Sequence, residues 1–340
     1  MCGIAGWLGR APRGDAHALL VSMGEQIAHR GPDGEGMALL PGAGLVHRRL
    51  SIVDLAGGAQ PMWSAAGEAL ISFNGEIYNY RQLRKELEAS GYRFATQSDT
   101  EVILALYLRD GPEGFAQLRG MYAFALWDER SQRGLLVRDP LGIKPLFMAR
   151  QSGRVLFASE AKALLVADEC RAELDEGALH LLLNFRYLPG QLSLFRGVEQ
   201  VAPGAVLQWQ RSELSALLQL PDSWGVESKD TDLSAGLEVI ADSVRAHQVA
   251  DVEVAAYLSG GIDSATVAAL MQSETGALRS FTLDIGDDPD EAANAAATAK
   301  LLGLENVCYS SHLAASERLQ KVIWHLEVPK INALQVDALA

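Results

Sequence analysis

The rhythm of apolar segments changes once along the chain, near residue 235, and that change limits the folds open to it. Before it, short runs at 3–8, 69–73, 122–127, 134–137 and 155–157 alternate or run apolar between Gly, Pro and Asp turns, as mostly antiparallel strands do. Segments 15–29, 80–90 and 99–109 read as helices, each ending before a Gly or Asp-Gly stop. After it, strands and helices alternate: 254–258 then 264–271, 280–285 then 290–302, 307–310 then 312–325. That order predicts a parallel, doubly wound sheet. Between the blocks, residues 166–234 hold a helix at 175–185, the turns Pro189-Gly190 and Pro203-Gly204, and a polar stretch at 221–231. The expectation is therefore an α+β domain over 2–165, a connector over 166–234, and an α/β domain over 235–340. Only three strands of that last domain are legible, against about five in an ordinary sheet, so the chain is expected to hold its N-terminal part.

Composition narrows the function. The 340 residues are 49% hydrophobic and 21% charged, ordinary for a globular chain. Lys plus Arg number 29 and Asp plus Glu 43, a net charge of −14. Nucleic-acid binding needs clustered cations against phosphates, so no such partner is expected. Small anions can still be held at helix N-termini. The three cysteines, Cys2, Cys170 and Cys308, form neither a disulfide framework nor a metal-ligand spacing. No run approaches the ~20 apolar residues of a membrane span. Met1-Cys2-Gly3-Ile4 also lacks the basic start of a signal peptide, so the expected location is cytoplasmic.

Cys2 stands out because removal of Met1 would leave it with both a thiol and a free α-amine. The amine titrates near ~7.7–8.0 and the thiol near ~8.5, so the amine can take the thiol's proton. Gly3 and Gly6 leave room for a substrate beside the backbone. The plainer alternative is a small apolar residue opening a buried strand. The segments that follow bear on the choice: Cys2-Gly3-Ile4-Ala5-Gly6, His29-Arg30-Gly31-Pro32-Asp33, Arg49-Leu50-Ser51-Ile52-Val53-Asp54, Asn74-Gly75-Glu76-Ile77-Tyr78-Asn79 and Ser98-Asp99-Thr100-Glu101. In identity, order and spacing they resemble the class II glutamine amidotransferases over residues 2–165. The resemblance implies an N-terminal-nucleophile fold, an αββα sandwich of two antiparallel sheets between helices, that releases ammonia from glutamine.

It also implies roles. Cys2 would be the nucleophile, with Asn74 and Gly75 as oxyanion donors. Glutamine would be held by Arg49, Leu50, Ser51, Ile52, Val53, Asn74, Gly75, Glu76 and Asp99. The chemistry agrees. The Asn74 amide and the Gly75 N–H can donate to an oxyanion, Arg49 can grip a carboxylate bidentately, and Asp99 and Glu76 can accept from an ammonium. Each has a local alternative. Asn74-Gly75 is also a hairpin-turn pair, and Ser98-x-x-Glu101 fits a capping box with Asp99 in the first turn. Arg49 alone would be a surface cation, and Arg30-Gly31-Pro32-Asp33 a structural turn. Neither His29 nor His47 is given a catalytic role.

Ser259-Gly260-Gly261-Ile262-Asp263-Ser264 follows an apolar strand and opens a helix. Its glycines let backbone N–H groups approach phosphate oxygens, its hydroxyls add donors, and the helix N-terminus adds partial positive charge. It lacks the Gly-Lys-Ser/Thr of a Walker loop, and a plain strand-to-helix turn is the alternative. It resembles the pyrophosphate loop of ATP pyrophosphatases. Joined to a class II glutaminase, it resembles the glutamine-hydrolysing asparagine synthetases. That resemblance implies ATP at Leu258, Ser259, Gly260, Gly261, Asp263, Ser264 and Leu283, with Mg²⁺ whose ligands the chain does not identify. It implies aspartate as acceptor, converted through its adenylate to asparagine with AMP and pyrophosphate. Glu327-Val328-Pro329-Lys330 stands where many relatives carry Asp-Glu-Pro, which leaves another carboxylate acceptor open. A homodimer, a fragment with glutaminase activity only, and a non-catalytic relative are also open; Cys2 argues against the last.

Overall fold

The computed structural model describes residues 1–221, 233–284, 289–310 and 315–329. Two compact units, Met1–Val226 and Glu227–Ala340, divide the chain. The first unit runs β1 (Gly3–Gly9), α1 (Ala16–Gln26), β2 (Gly34–Leu40), β3 (Ala43–Arg49), β4 (Met62–Trp63), β5 (Ala69–Ile77), α2 (Tyr80–Ala89), α3 (Asp99–Asp110), β6 (Gly120–Asp128), β7 (Arg133–Arg138), β8 (Phe147–Gln151), β9 (Arg154–Ala158), α4 (Glu176–Phe185), β10 (Glu199–Gln200), β11 (Ala205–Gln210) and β12 (Glu213–Gln219).

The strands form two six-stranded antiparallel sheets, in the orders β10-β8-β9-β1-β3-β2 and β12-β11-β7-β6-β5-β4. The period-2 alternation of a strand sets the layers. On β1, Ile4 and Leu8 enter the core between the sheets with Leu45, Leu70 and Trp127. Ala5 and Trp7 enter a second core with Leu20, Met23 and Ile27 of α1. On the far side, Tyr107 of α3 stacks on Phe115 at 6.0 Å, and Phe115 meets Phe124 of β6 edge-on at 5.1 Å. The order helix, sheet, sheet, helix is the αββα sandwich expected from the sequence.

The segment read as a connector contributes to these sheets. Asp175 caps α4 by accepting from the Ala178 amide at 2.9 Å. β10 pairs with β8, and β11 pairs with both β7 and β12. The physical reason is burial: Val201, Ala205, Leu207 and Trp209 sit in the inter-sheet core. Their alternation is short and flanked by turn residues, so it is easily taken for a linker. From residue 222 the polar stretch lies outside the described residues, as do Ile285, residues 312–314 and Lys330.

The second unit contains α5 (Leu233–Ala246), β13 (Ala256–Tyr257), α6 (Ile262–Thr275), β14 (Arg279–Asp284), α7 (Pro289–Leu302), β15 (Glu305–Ser310) and α8 (Ala315–Leu326). β13, β14 and β15 form a parallel sheet in that order. Each β-α-β step is the α/β unit expected. Ala256, Leu258, Ala268, Met271 and Ala295 form its core. Among the described residues no helix is long and apolar enough to cross a membrane.

Candidate active site

The inter-sheet row changes from apolar to polar at one end of the sandwich. Across β1 and β3, Ile4 faces His47 and Gly3 faces Arg48. The same period carries Cys2 beside Arg49 at the strand ends. In the opposite sheet Ser72 and Asn74 continue the row begun by Leu70. His47 is fully buried, and its Nδ1 lies 3.2 Å from the Ser72 hydroxyl. Burial, then the charge of Arg49, pushes its pKa down to about 3, so His47 stays neutral. Beyond this neutral layer lies a pocket lined by Cys2, Arg49, Asn74, Glu76 and Asp99.

Cys2 is half-buried. The Leu50 amide donates to its Sγ at 3.4 Å, and the thiol faces the Leu50 carbonyl at 3.5 Å. The Arg30 Nε holds the Cys2 carbonyl at 2.9 Å, while the Arg30 Nη1 binds Glu160 at 2.7 Å. His29 and Lys162 also reach Glu160. The turn Arg30-Gly31-Pro32-Asp33 is thus structural, as expected, and it also holds Cys2 in place. Burial raises the Cys2 thiol pKa, opposed first by the Leu50 hydrogen bond and then by the N-terminal amine and Arg49. In the chain with Met1 present, burial lowers the Met1 α-amine pKa; Cys2 opposes this, and Arg30 and Lys144 add to it.

Asn74 and Gly75 lie inside β5, not at a hairpin turn. Gly75 pairs with Tyr122 of β6, and a Cβ there would run into the Met121 carbonyl oxygen. Close strand approach therefore requires glycine. Asn74 is 1% exposed, and both its Nδ2 and Oδ1 lack hydrogen-bond partners. A buried amide without partners costs ~1–3 kcal/mol, and this one borders the pocket that holds Cys2.

Arg49 is no free surface cation. Its Nη1 binds the Leu55 carbonyl at 2.9 Å, and its Nη2 binds those of Asp54 and Val53 at 2.6 and 3.3 Å. The guanidinium shapes the 50–55 loop, which brings Leu50, Ile52 and Val53 to the pocket wall. Ser51 is not among the lining residues; its amide binds Asp33 at 2.8 Å. Ser98 caps α3 through the Thr100 amide at 3.2 Å. The expected reciprocal bond from Glu101 does not form. Glu101 instead accepts from the amides of Ala95 and Thr96 at 2.9 and 2.7 Å, because the incoming loop presents those donors first. Asp99 is buried and accepts from the Ile77 amide at 3.0 Å. Burial pushes its pKa up to about 6 against that hydrogen bond.

Residues to which the sequence reading gave no role at the site complete it. Arg30 and Glu160 hold Cys2 in place, and Lys144 lines the pocket while 4% exposed. Asp139-Pro140-Leu141-Gly142 signals a turn before Lys144, but nothing local places that cation beside Cys2.

The second candidate site lies wholly within the other unit. Ser259 and Ser264 hydroxyls are 2.8 Å apart, and Ser264 Oγ also accepts from the Ser259 amide at 3.1 Å. These bonds fix the loop between β13 and α6. Leu258, Ser259, Ser264 and Leu283 line one cleft with Thr282 and Glu291, whereas Gly260 and Gly261 line another with Glu291 and Asn294. Asp263 borders neither of these clefts and is exposed in the first turn of α6. A Cβ at Gly260 would press on Asn294 and Glu291 at 3.1–3.3 Å, so α7 closes against a bare backbone. Thr282, Glu291 and Asn294 were not legible as site residues. Among the described residues no three His, Cys, Asp or Glu side chains gather as a metal site.

Known proteins place both units. Residues 1–219 match the family described as "Glutamine amidotransferase domain", and residues 235–339 match "Asparagine synthase". Asparagine synthetase [glutamine-hydrolyzing] 1 of Bacillus subtilis is 36% identical over 97% of this chain and 53% of its own length. A putative asparagine synthetase [glutamine-hydrolyzing] of Mycobacterium bovis is 36% identical over 97% and 55%. Amidase chry2 of Gibberella zeae is 33% identical over 100% and 56%. The chain spans about half the length of these curated relatives. By its first 219 residues the chain belongs to the glutamine amidotransferase family, and residues 235–339 match the asparagine synthase family.

Proposed function

We propose that the first unit hydrolyses glutamine at Cys2, and that the whole protein passes the ammonia to an ATP-activated carboxylate, as a glutamine-hydrolysing asparagine synthetase. The observation that carries the reading is the partnerless, buried Asn74 amide in the pocket of Cys2, Arg49 and Asp99. With Met1 removed, the Cys2 amine takes the thiol proton as Sγ attacks the side-chain carbonyl of glutamine. The Asn74 Nδ2 and the Gly75 N–H donate to the oxyanion, the arrangement that favours the transition state over the ground state. The amine returns the proton to the departing ammonia, and water then cleaves the thioester. Asp99 and Glu76 hold the α-ammonium. Arg49 still has donors beyond its three loop carbonyls and takes the α-carboxylate.

In the second unit, the fixed serine pair, the bare Gly260 backbone and the α6 N-terminus suit the phosphates of ATP. Bound ATP would supply the activation that makes a carboxylate electrophilic enough for ammonia. Leu258 and Leu283 would border the base. Mg²⁺ is commonly held by one or two carboxylates together with substrate phosphates; Glu291, which lines both clefts, is the candidate ligand. Aspartate is the proposed acceptor and the cytoplasm the proposed location. The likeness to a protein named an amidase keeps a different carboxylate as the second reading. Cys2→Ala is expected to abolish ammonia release from glutamine without altering the fold by circular dichroism. Undiminished hydrolysis in that variant would overturn the assignment. Asparagine formation from aspartate, glutamine and ATP by the full protein decides the acceptor.

A further inference from the structure

Lys144 is held in place more firmly than a surface lysine needs to be. It lies in the turn after β7, where the fully buried Asp139 carboxylate gathers four amides: Leu141 and Ile143 on Oδ1 at 3.1 and 2.9 Å, Lys144 and Tyr122 on Oδ2 at 3.0 and 3.3 Å. From the other side Arg138 binds the carbonyls of Lys144 and Gly142, both at 2.8 Å, and that of Val201 at 2.6 Å. The turn is thus clamped at both faces, and the side chain it presents lines the Cys2 pocket while nearly fully buried. Burying an ammonium is unfavourable, and a Leu or Met would fill the same space without that penalty.

We propose that Lys144 is an electrostatic positioning residue of this pocket, whose ammonium keeps the α-amine beside Cys2 unprotonated and favours the anionic sulfur during attack. The inference rests on the glutaminase reading of the same pocket. The charged groups around the nucleophile are Arg30, Lys144, Arg49, Glu76 and Asp99, with Asp139 behind Lys144. Arg30, paired with Glu160, acts on the N-terminal amine in the same direction as Lys144. Arg49 donates to the 53–55 carbonyls, keeps its charge, and acts on the Cys2 sulfur. Lys144 is opposed in the pocket chiefly by Glu76. Burial holds its own pKa below the ordinary lysine value, and Glu76 draws it back up, consistent with a charged side chain in a dry wall.

The test is the pH profile of glutamine hydrolysis by wild type, K144M and K144R, with alkylation of Cys2 by iodoacetamide followed by peptide mass spectrometry. In K144M the acid limb of kcat and the alkylation midpoint both move up by about one pH unit, roughly a tenfold loss of rate below the midpoint. Activity recovers above the new midpoint, KM is unchanged, and K144R keeps the wild-type limb. Superimposed limbs and midpoints, or a rise in KM alone, would overturn the proposal. Wild type without glutaminase activity would sink the reading of the pocket, while the alkylation midpoint would still decide what Lys144 does. If K144M does not fold, K144Q carries the same test: its midpoint rises, and a midpoint that stays or falls overturns the proposal.

Discussion

Asp99→Asn separates two uses of one carboxylate. Asp99 is buried, and its pKa is pushed up to about 6 by burial, despite the Ile77 amide at 3.0 Å. In the unfolded chain the same group titrates near ~3.9. The folded pKa is the higher one, so between these values the folded protein holds a proton that the unfolded chain releases. Stability is therefore full below ~3.9, falls as pH rises through about 6, and stays reduced above it. The gap corresponds to ~3 kcal/mol at pH 7.5 and roughly half of that at pH 5. Asn is isosteric and keeps an oxygen for the Ile77 amide. Asp99→Asn is expected to be more stable than wild type by up to ~3 kcal/mol at pH 7.5, and by about half that at pH 5. Urea titrations at the two pH values read this. In the proposed role, binding the glutamine ammonium needs the ionised carboxylate. Wild-type KM for glutamine should rise about tenfold per pH unit below about 6, while Asp99→Asn shows a high KM without that slope. A variant less stable than wild type at pH 7.5 would refute the burial argument. An unchanged KM would refute the ammonium role.

Asn74→Ala should lower kcat by ~10²–10³ with little change in KM, since the amide acts on the transition state; a raised KM with unchanged kcat counts against the oxyanion role. Glu160→Ala should destabilise the first unit by ~3–5 kcal/mol, because it strands Arg30 and Lys162 without their buried partner. The same variant should lower glutaminase kcat through the loosened Cys2 carbonyl, and a thermal melt matching wild type would contradict this. Ser264→Ala should weaken ATP binding about tenfold by calorimetry, since it removes the hydroxyl that fixes Ser259, and leave glutamine hydrolysis intact; unaltered ATP affinity would remove the serine pair from the site.

Much of the fold was readable in local pattern. Alternation or apolar runs marked β1, β6 and β9, and the Ser98 cap marked a helix start. These signals are short-range: a strand's period and a cap's hydrogen bonds are settled within a few residues. The motif residues Cys2, Arg49, Asn74 and Asp99 were also readable, because their chemistry is written in their side chains. β10 and β11 were not, since only pairing with β8 and β7 makes strands of them.

What residue identity settles, then, is which nucleophile, amide and carboxylate the chain can offer, and where turns and caps can fall. Long-range packing settles the rest. Asn74-Gly75 could be a turn in isolation and becomes mid-strand because β6 lies alongside. Arg30 becomes the mount of Cys2 because Glu160, 130 positions away, neutralises it. The acidity of Asp99 and the placement of Lys144 depend on how much water packing excludes around them, and desolvation is a property of the assembled pocket that no stretch of neighbouring residues encodes.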